Sequence, residues 1–423
     1  MRFSTPPKPD LILANVGTFG DAHPFIAIGH AMLKRGHNVS MFSNTEHRQT
    51  IESAGITFIE SDAAIDYVGC IGNPNFWHPI KGMGVYWRSM LAPSIAPLYQ
   101  HLQTQQAMGR PMHVVAGPFM LGAKLAQLHL GTRLTSAYTA PSMLRTYVAP
   151  VCIAHTYWPK YTPRFALRAV WKALDHYKLE PMARQTLVKI CAQLAVPPPA
   201  ANSLFDACMH SPSGMALFPE WFAPRKADYP ANMYYAGFPR YQLDAQENLS
   251  AALSAFLAQG SPPVVVTLGT GMAHASTQFS VLQDALRQTD LRAVFLSHQP
   301  DQLNAQAGES AQFFYCHYAP FSLLLPRCSG IVHHGGIGTS AQALAAGVPQ
   351  IIQSQGHDQF ENARCLAALG VGQRVARAAQ VPEILRALRH WINNPLHQAA
   401  LASVQAKARQ SSLQALCEKL ETV

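Results

Sequence analysis

The run His333-His334-Gly335-Gly336-Ile337-Gly338-Thr339-Ser340 gathers two imidazoles, three glycines and two hydroxyls into eight consecutive residues. It follows an apolar, strand-like Gly330-Ile331-Val332 and leads into a helix-like Ser340-Ala341-Gln342-Ala343-Leu344-Ala345-Ala346. Strand, glycine turn and helix form the geometry in which free backbone N–H groups and the positive end of a helix dipole meet an anion. Glycine lets the backbone come close to a phosphate, and a histidine at the turn can donate a further hydrogen bond to the same oxygens. After Gly347-Val348-Pro349 and a short apolar Gln350-Ile351-Ile352 comes His357-Asp358-Gln359. An acid beside an amide at a strand's exit suits the hydroxyls of a sugar. A diphosphate turn followed by a sugar-binding pair predicts a nucleotide-sugar site.

The elements that must position these residues repeat in two halves. Leu11-Ile12-Leu13-Ala14 leads into a turn from Gly17 to Gly20, and Val264-Val265-Val266-Thr267-Leu268 leads into Gly269-Thr270-Gly271. Further short, largely apolar runs are Val39-Ser40-Met41-Phe42, His113-Val114-Val115-Ala116, Met215-Ala216-Leu217-Phe218, Ala293-Val294-Phe295-Leu296, Phe313-Phe314-Tyr315 and Gly330-Ile331-Val332. Such runs, flanked by glycine and alternating with helix-length segments, predict parallel sheets covered on both faces. The expected fold class is α/β, with two Rossmann-like domains facing across a cleft and ligands at the carboxyl ends of the strands. The proline-rich stretch between Pro224 and Glu247 sets the boundary. The expected division is 1-235 for an acceptor-binding domain, 236-395 for a nucleotide-sugar-binding domain, and 396-423 for a C-terminal helix returning to the first.

A chain of 423 residues is long enough for two cores, and with 48% hydrophobic and only 13% charged residues it is not a disordered one. Its net charge of +9 favours anionic partners. Nucleic acid is not expected among them, because no Lys/Arg-rich run or nucleic-acid module occurs. The eight cysteines are scattered without a Cys-x-x-Cys pair, which argues against zinc and a disulfide framework. No stretch is apolar enough to span a bilayer and the start lacks a signal-like segment, so a cytoplasmic protein is expected. A dinucleotide-binding oxidoreductase fits poorly. Gly17-Thr18-Phe19-Gly20 is not Gly-x-Gly-x-x-Gly, and no acid follows the strand ending near Ser43-Asn44.

His-His-Gly-Gly-x-Gly-Thr, Gly-Val-Pro and His-Asp-Gln at this spacing resemble the donor signature of family 1 glycosyltransferases with the GT-B fold. Asn15-Val16-Gly17-Thr18-Phe19-Gly20-Asp21 and Arg35-Gly36-His37-Asn38-Val39 are similar to the start of the bacterial and sterol-type members. Gly72-Asn73-Pro74-Asn75-Phe76-Trp77 and Phe218-Pro219-Glu220-Trp221-Phe222-Ala223-Pro224 carry the likeness toward the rhamnosyltransferases of rhamnolipid synthesis. The resemblance implies that His334 contacts the diphosphate, with Gly336, Gly338 and Thr339 forming the turn and His333 a strand-end neighbour. It places Tyr318 against the nucleobase, although core packing explains that residue equally well. Gln342 stands where many relatives use glutamate to bind both ribose hydroxyls. Asp358 and Gln359 would hold the transferred sugar, and Asp358 would also cap the helix that follows. Thr270 could reach the diphosphate from the opposite side or serve as a plain turn residue. No Asp-x-Asp lies near a strand end to hold a metal-bridged diphosphate. The helix terminus, backbone amides and His334 are therefore expected to stabilise the leaving group, with no metal and no cofactor beyond the nucleotide-sugar co-substrate.

Glycosyl transfer also needs a general base for the acceptor hydroxyl. Asp21 matches the family's catalytic position. His23, oriented by Asp21, is the alternative, and an N-cap role explains Asp21 without catalysis. Phe76, Trp77, Trp87 and Phe119 would line an apolar acceptor pocket, or form ordinary core. Arg164, Arg168 and Lys172 recur at helical spacing beside Leu167, Val170, Trp171, Leu174 and Tyr177, which predicts an amphipathic helix with a cationic stripe. That helix is either packed with a solvated face or a lip for an acidic lipid or the inner-membrane surface. The resemblance implies inverting transfer of L-rhamnose from dTDP-rhamnose to a hydroxyalkanoyloxyalkanoate, with room for a partner acyltransferase chain. UDP-glucose-dependent glucosylation of a lipid or small aglycone is the close alternative, and a nucleotide-sugar epimerase a more distant one.

Overall fold

Runs of aliphatic residues build two wholly parallel sheets in the computed structural model, which describes residues 8–61, 65–148, 152–153, 156–157, 159, 161–201, 204–209, 211, 214–240, 248–272, 275–303, 310–410 and 413–422. The first sheet takes β1 (Asp10–Ala14), β2 (Val39–Phe42), β3 (Thr57–Ile59), β4 (Met112–Ala116) and β5 (Arg133–Tyr138). A small antiparallel pair, β6 (Cys152–Ile153) and β7 (Thr156–Tyr157), stands apart, and β8 (Gly214–Ala216) and β9 (Tyr234–Tyr235) complete the sheet. Its order is β3-β2-β1-β4-β5-β8-β9. The second sheet holds β10 (Val264–Thr267), β11 (Ala293–Leu296), β12 (Phe313–Cys316), β13 (Gly330–His333), β14 (Gln350–Gln353) and β15 (Gly372–Val375), in the order β12-β11-β10-β13-β14-β15. Parallel neighbours need crossover helices on the faces, which explains why Leu11 to Ala14 and Val264 to Val266 are buried throughout.

Strand order reverses beside β1 in one sheet and beside β10 in the other, so each sheet has a switch point at its carboxyl edge. Register then decides which turns are neighbours. Ala14 pairs with Phe42 and with Ala116, which sets the turn after β1 between those after β2 and β4. Thr267 pairs with His333, and His333 with Ile352, so the turns after β10, β13 and β14 stand side by side.

The chain divides into two compact units. The first comprises Met1–Phe76, Ile80–Gln242 and Ser412–Val423, and the second comprises Trp77–Pro79 and Leu243–Ser411. These divisions fall at 242/243 and 411/412, whereas the sequence placed them at 235/236 and 395/396. The helix Gln398–Arg409 stays with the second unit, where Gln405 Nε2 donates to Ala346 O at 2.8 Å. Only the last helix, Leu413–Thr422, belongs to the first. It buries Leu416, Cys417 and Leu420 in the core around Phe25, Ile28 and Met41. Glu421 on its exposed side pairs with Arg35 at 2.5 Å and His37 at 3.0 Å. Among the described residues, no helix is long and apolar enough to cross a membrane.

Candidate active site

In the first unit the site is built from the turn after β1. Thr18 opens the helix Phe19–Lys34, and Asp21 stands at its third position. The Thr18 backbone N–H and hydroxyl both donate to Asp21 Oδ2, each at 2.9 Å. Asp21 is thus not the N-cap that one sequence reading made it; Thr18 is, and Asp21 closes a reciprocal cap. Gly17 has φ +149, and a Cβ there would lie 2.6 Å from Asp21 Oδ2, so glycine is what lets the carboxylate fold back. The turn is pinned on every side. Gly17 N donates to Asn44 Oδ1 at 3.1 Å, His47 Nε2 to Gly17 O at 3.0 Å, and Tyr86 OH to Val16 O at 2.9 Å. Asn15 Nδ2 donates to Asp21 O at 2.8 Å.

Burial raises the Asp21 pKa, against the lowering effect of the two Thr18 bonds. Burial and then the nearby His47 push His23 down to about 4, so its ring is neutral and weakly basic near pH 7. Asp21 and His23, two apart on a helix, point along diverging directions, and the His23 ring stands 5.8 Å from that of Phe19. Asn44 and His47 were missed by sequence reasoning. Each sits on another element and acts on backbone, and no motif announces such a role.

In the second unit, β13 ends at His333 and His334 follows it, and the two histidines have opposite fates. His333 is fully buried: Gly335 N donates to its Nδ1 at 3.1 Å, and its Nε2 donates to Gln350 Oε1 at 3.0 Å. This structural ring agrees with its reading as a strand-end neighbour. His334 lies against two glycines. A Cβ on Gly269 would come within 2.5 Å of the His334 ring, and one on Gly336 within 2.4 Å of its Nε2. Burial lowers the His334 pKa to about 4, and its Nδ1 is buried without a hydrogen-bond partner. Gly336 then caps the helix Ile337–Ala346, whose first N–H groups have no partner within the helix. Gly338, Thr339 and Gln342 share one face of it, and a Cβ on Gly338 would meet only open space. Thr270 is half-buried in the adjoining turn after β10.

Asp358 and Gln359 begin the helix Gln359–Ala368 beside this turn. Asp358 occupies the N-cap position but makes no cap bond; its Oδ2 accepts from Asn362 Nδ2 at 2.7 Å. Asn362 Nδ2 also donates to Gly335 O at 3.0 Å, which ties the histidine turn to the Asp358 turn. Gln359 is buried and its Oε1 accepts from Gln355 N at 2.6 Å and Gly356 N at 3.2 Å, which commits the oxygen to backbone. His357 before them has φ +52, a left-handed conformation that is strained for histidine. Asn362 was missed although it lies four residues after Asp358, the spacing of one helical turn.

Tyr318 is 59% exposed and its ring stands 6.3 Å from that of His298, so core packing does not explain it. The four expected acceptor residues have different surroundings within their own units. Trp77 belongs to the second unit, where its Nε1 donates to Gly271 O at 3.3 Å and its ring meets His357 at 5.2 Å. Phe76 is buried beside Tyr86. Trp87 is fully buried, 6.5 Å from Phe205, and half-buried Phe119 approaches the same ring at 6.4 Å. Trp87 is therefore core, and Phe119 is the one of the three in the first unit with an open edge.

Residues 11–95 match the glycosyltransferase family 28 N-terminal domain, and residues 311–421 match the C-terminal domain of erythromycin biosynthesis protein CIII-like proteins. The chain is 24% identical over 360 residues to O-mycaminosyltylonolide 6-deoxyallosyltransferase of Streptomyces fradiae, covering 81% of this chain and 79% of that protein. The kitacinnamycin glycosyltransferase structure superposes with a TM-score of 0.74 at 16% identity, over 99% of both chains. Glycosyltransferase VinC in complex with dTDP gives a TM-score of 0.64 at 16% identity, over 97% of this chain and 100% of that one. The chain is a glycosyltransferase of the GT-B fold, taking its sugar from a nucleotide sugar.

Proposed function

We propose that this glycosyltransferase moves a 6-deoxyhexose from a dTDP-sugar to the hydroxyl of a lipophilic acceptor, with dTDP-L-rhamnose and a hydroxyalkanoyloxyalkanoate as the first pair to test. The observation that carries the donor half is His334: a half-buried, neutral imidazole whose Nδ1 is buried and unpartnered, set between two glycines at a helix N-terminus. A buried nitrogen without a partner is rare in a folded chain, and a phosphate oxygen would give this turn the acceptor it lacks. The neutral amide at Gln342 supports a thymidine nucleotide. Glutamate at that place suits two ribose hydroxyls, whereas deoxyribose offers only one. A relative that transfers 6-deoxyallose and a structural neighbour that binds dTDP point the same way.

In the proposed reaction Asp21 takes the acceptor's hydroxyl proton on Oδ1, the oxygen that Thr18 leaves unbonded. The acceptor oxygen forms a bond to the anomeric carbon as the bond to the diphosphate breaks. The leaving electron pair goes to the diphosphate, where backbone N–H groups and His334 receive the charge. One displacement inverts the anomeric centre. Asp358 and the Gln359 amide nitrogen would hold the sugar hydroxyls.

The test follows nucleoside diphosphate release and product mass with dTDP-rhamnose and UDP-glucose, each with and without the hydroxyalkanoyloxyalkanoate, and with EDTA as a further arm. Release from dTDP-rhamnose only with the lipid present, unchanged by EDTA, is the expected result. Preference for UDP-glucose would replace the donor reading with glucoside formation, and release without any acceptor would favour an epimerase-like or hydrolytic reaction.

A further inference from the structure

The helix Arg164–Leu174 and the π-helical segment Asp175–Leu179 that continues it have one face fixed to the first unit and one face left to solvent. The inner face is well anchored. Leu167 is buried, Trp171 Nε1 donates to Thr146 O at 3.3 Å, and Asp175 accepts two bonds from Arg145 at 2.7 and 2.8 Å. The Arg145 guanidinium lies 4.5 Å over the Trp171 ring. Of the apolar residues that the sequence assigned to this inner face, Tyr177 is not there; it turns outward in the π-helical segment.

The outer face is apolar where a solvated helix would be polar. Phe165 and Tyr177 are 76% and 71% exposed, exposed Ala169 and Ala173 continue the four-residue spacing between them, and Tyr161 in the turn before the helix is 89% exposed. A parallel row one residue earlier carries Arg164, Arg168, Lys172 and His176, with Lys178 at its end. All of these are exposed, and none of the four Arg and Lys side chains has an acidic partner among the described residues. The single acid from 161 to 179 is Asp175, which is buried and neutralised by Arg145. The face is thus cationic without internal compensation, and the row from Phe165 to Tyr177 is about 18 Å long.

We infer that this face docks on the surface of a bilayer containing acidic phospholipid. Aromatic side chains at headgroup depth and cations reaching the phosphates are the two contributions that hold an amphipathic helix in a membrane interface. The side-by-side rows supply both. The charge excludes a basic partner, and three large exposed aromatic rings exceed what a purely electrostatic contact needs. The inference does not depend on which sugar or acceptor the enzyme uses.

The test is flotation of the full-length protein with vesicles of phosphatidylglycerol and phosphatidylcholine in equal parts, and with phosphatidylcholine alone. Wild type is expected to float with the acidic vesicles, less so as salt rises. Arg164→Glu, Arg168→Glu and Lys172→Glu together should lower the partition on the order of a hundredfold. Tyr161→Ser with Phe165→Ser should lower it by about tenfold or more. The matched control Arg386→Glu, Arg389→Glu and Lys407→Glu, with the same change in net charge, should bind as wild type does, and all variants should keep the wild-type unfolding midpoint. Equal binding to both vesicle types, no binding, or loss in the control as great as in the helix variant would overturn the inference. A wild-type dimer abolished by the aromatic changes would reassign the face to self-association.

Discussion

Gly269 and Gly336 are glycines because the His334 ring occupies the space a Cβ would need. Gly269 also has φ +85, so alanine there is strained by backbone and clash together. Gly269→Ala should therefore displace the imidazole and weaken dTDP binding about as much as His334→Ala does, by tenfold or more on calorimetric titration. Unchanged affinity in both would remove His334 from the diphosphate site. Asp21 makes a separate prediction. As a base it must be ionised, so turnover should fall as pH drops through its pKa, and burial has moved that limb above the ordinary carboxylate range. His334, at about 4, stays neutral through that range and contributes no limb near neutrality. Asp21→Asn should lower kcat by about 10²–10⁴ and erase the acidic limb while dTDP affinity holds. Turnover within a few-fold of wild type would hand the proton to another group. The residues that could be read from sequence are those whose own chemistry and motif spacing mark them. Gly269 was legible only as a turn glycine, because its second requirement arises from His334, which follows a different strand.

Among elements, the strands that were legible are those that are mostly apolar, such as β2 with its single serine and the wholly apolar β11. β5 went unread because Arg133-Leu134-Thr135-Ser136-Ala137-Tyr138 is half polar, yet it lies between β4 and β8 inside the sheet and is almost wholly buried. Its polar atoms are satisfied locally, as where His113 Nε2 and Thr135 Oγ1 meet at 2.9 Å. Side-chain pairing of that kind substitutes for hydrophobicity and leaves no periodic signal. The C-terminal helix was expected to begin its return near 395; periodicity does not mark the break, since Gln398–Arg409 and Leu413–Thr422 are both amphipathic. The second of them is structural. Removing residues after 411 would expose Phe25, Ile28 and Met41 where Leu416 and Leu420 now pack. Two leucines of this kind are each worth about 1.5–3 kcal/mol. The truncated chain should lose its native unfolding transition or melt several degrees lower, by calorimetry. Arg35 and His37 hold the Glu421 carboxyl down to about 2, but the pair is exposed and adds little. What stability it does give is present above the ordinary glutamate range and disappears only as pH falls toward that value. A truncation that melts as wild type does would show the helix to be an ornament.

At the scale of the whole chain, the proposed chemistry is shared between the units: a proton acceptor at the turn after β1 in the first, and charge-receiving groups at the turns after β10, β13 and β14 in the second. The shared plan was legible because each half repeats strand, glycine turn and helix. The assignment of Trp77–Pro79 to the second unit was not, since three residues within a loop carry no compositional mark. A ligand that binds only the native state protects the amides it touches, and at about a hundredfold excess over its Kd it stabilises them by about 2.7 kcal/mol. Hydrogen exchange with saturating dTDP should therefore slow at residues 268–271, 334–342 and 355–362. These are the turns that strand register sets side by side and that Asn362 links through Gly335. Residues 15–21 should exchange as in the free protein, because Asn44, His47 and Tyr86 already pin that turn without ligand. Adding acceptor should then slow the first unit's turn as well. Protection by dTDP confined to residues 15–21 would transfer the nucleotide to the first unit and undo the division of labour. Protection at 334–342 that His334→Ala abolishes would tie the nucleotide to that imidazole by a measurement that needs neither the right sugar nor the right acceptor.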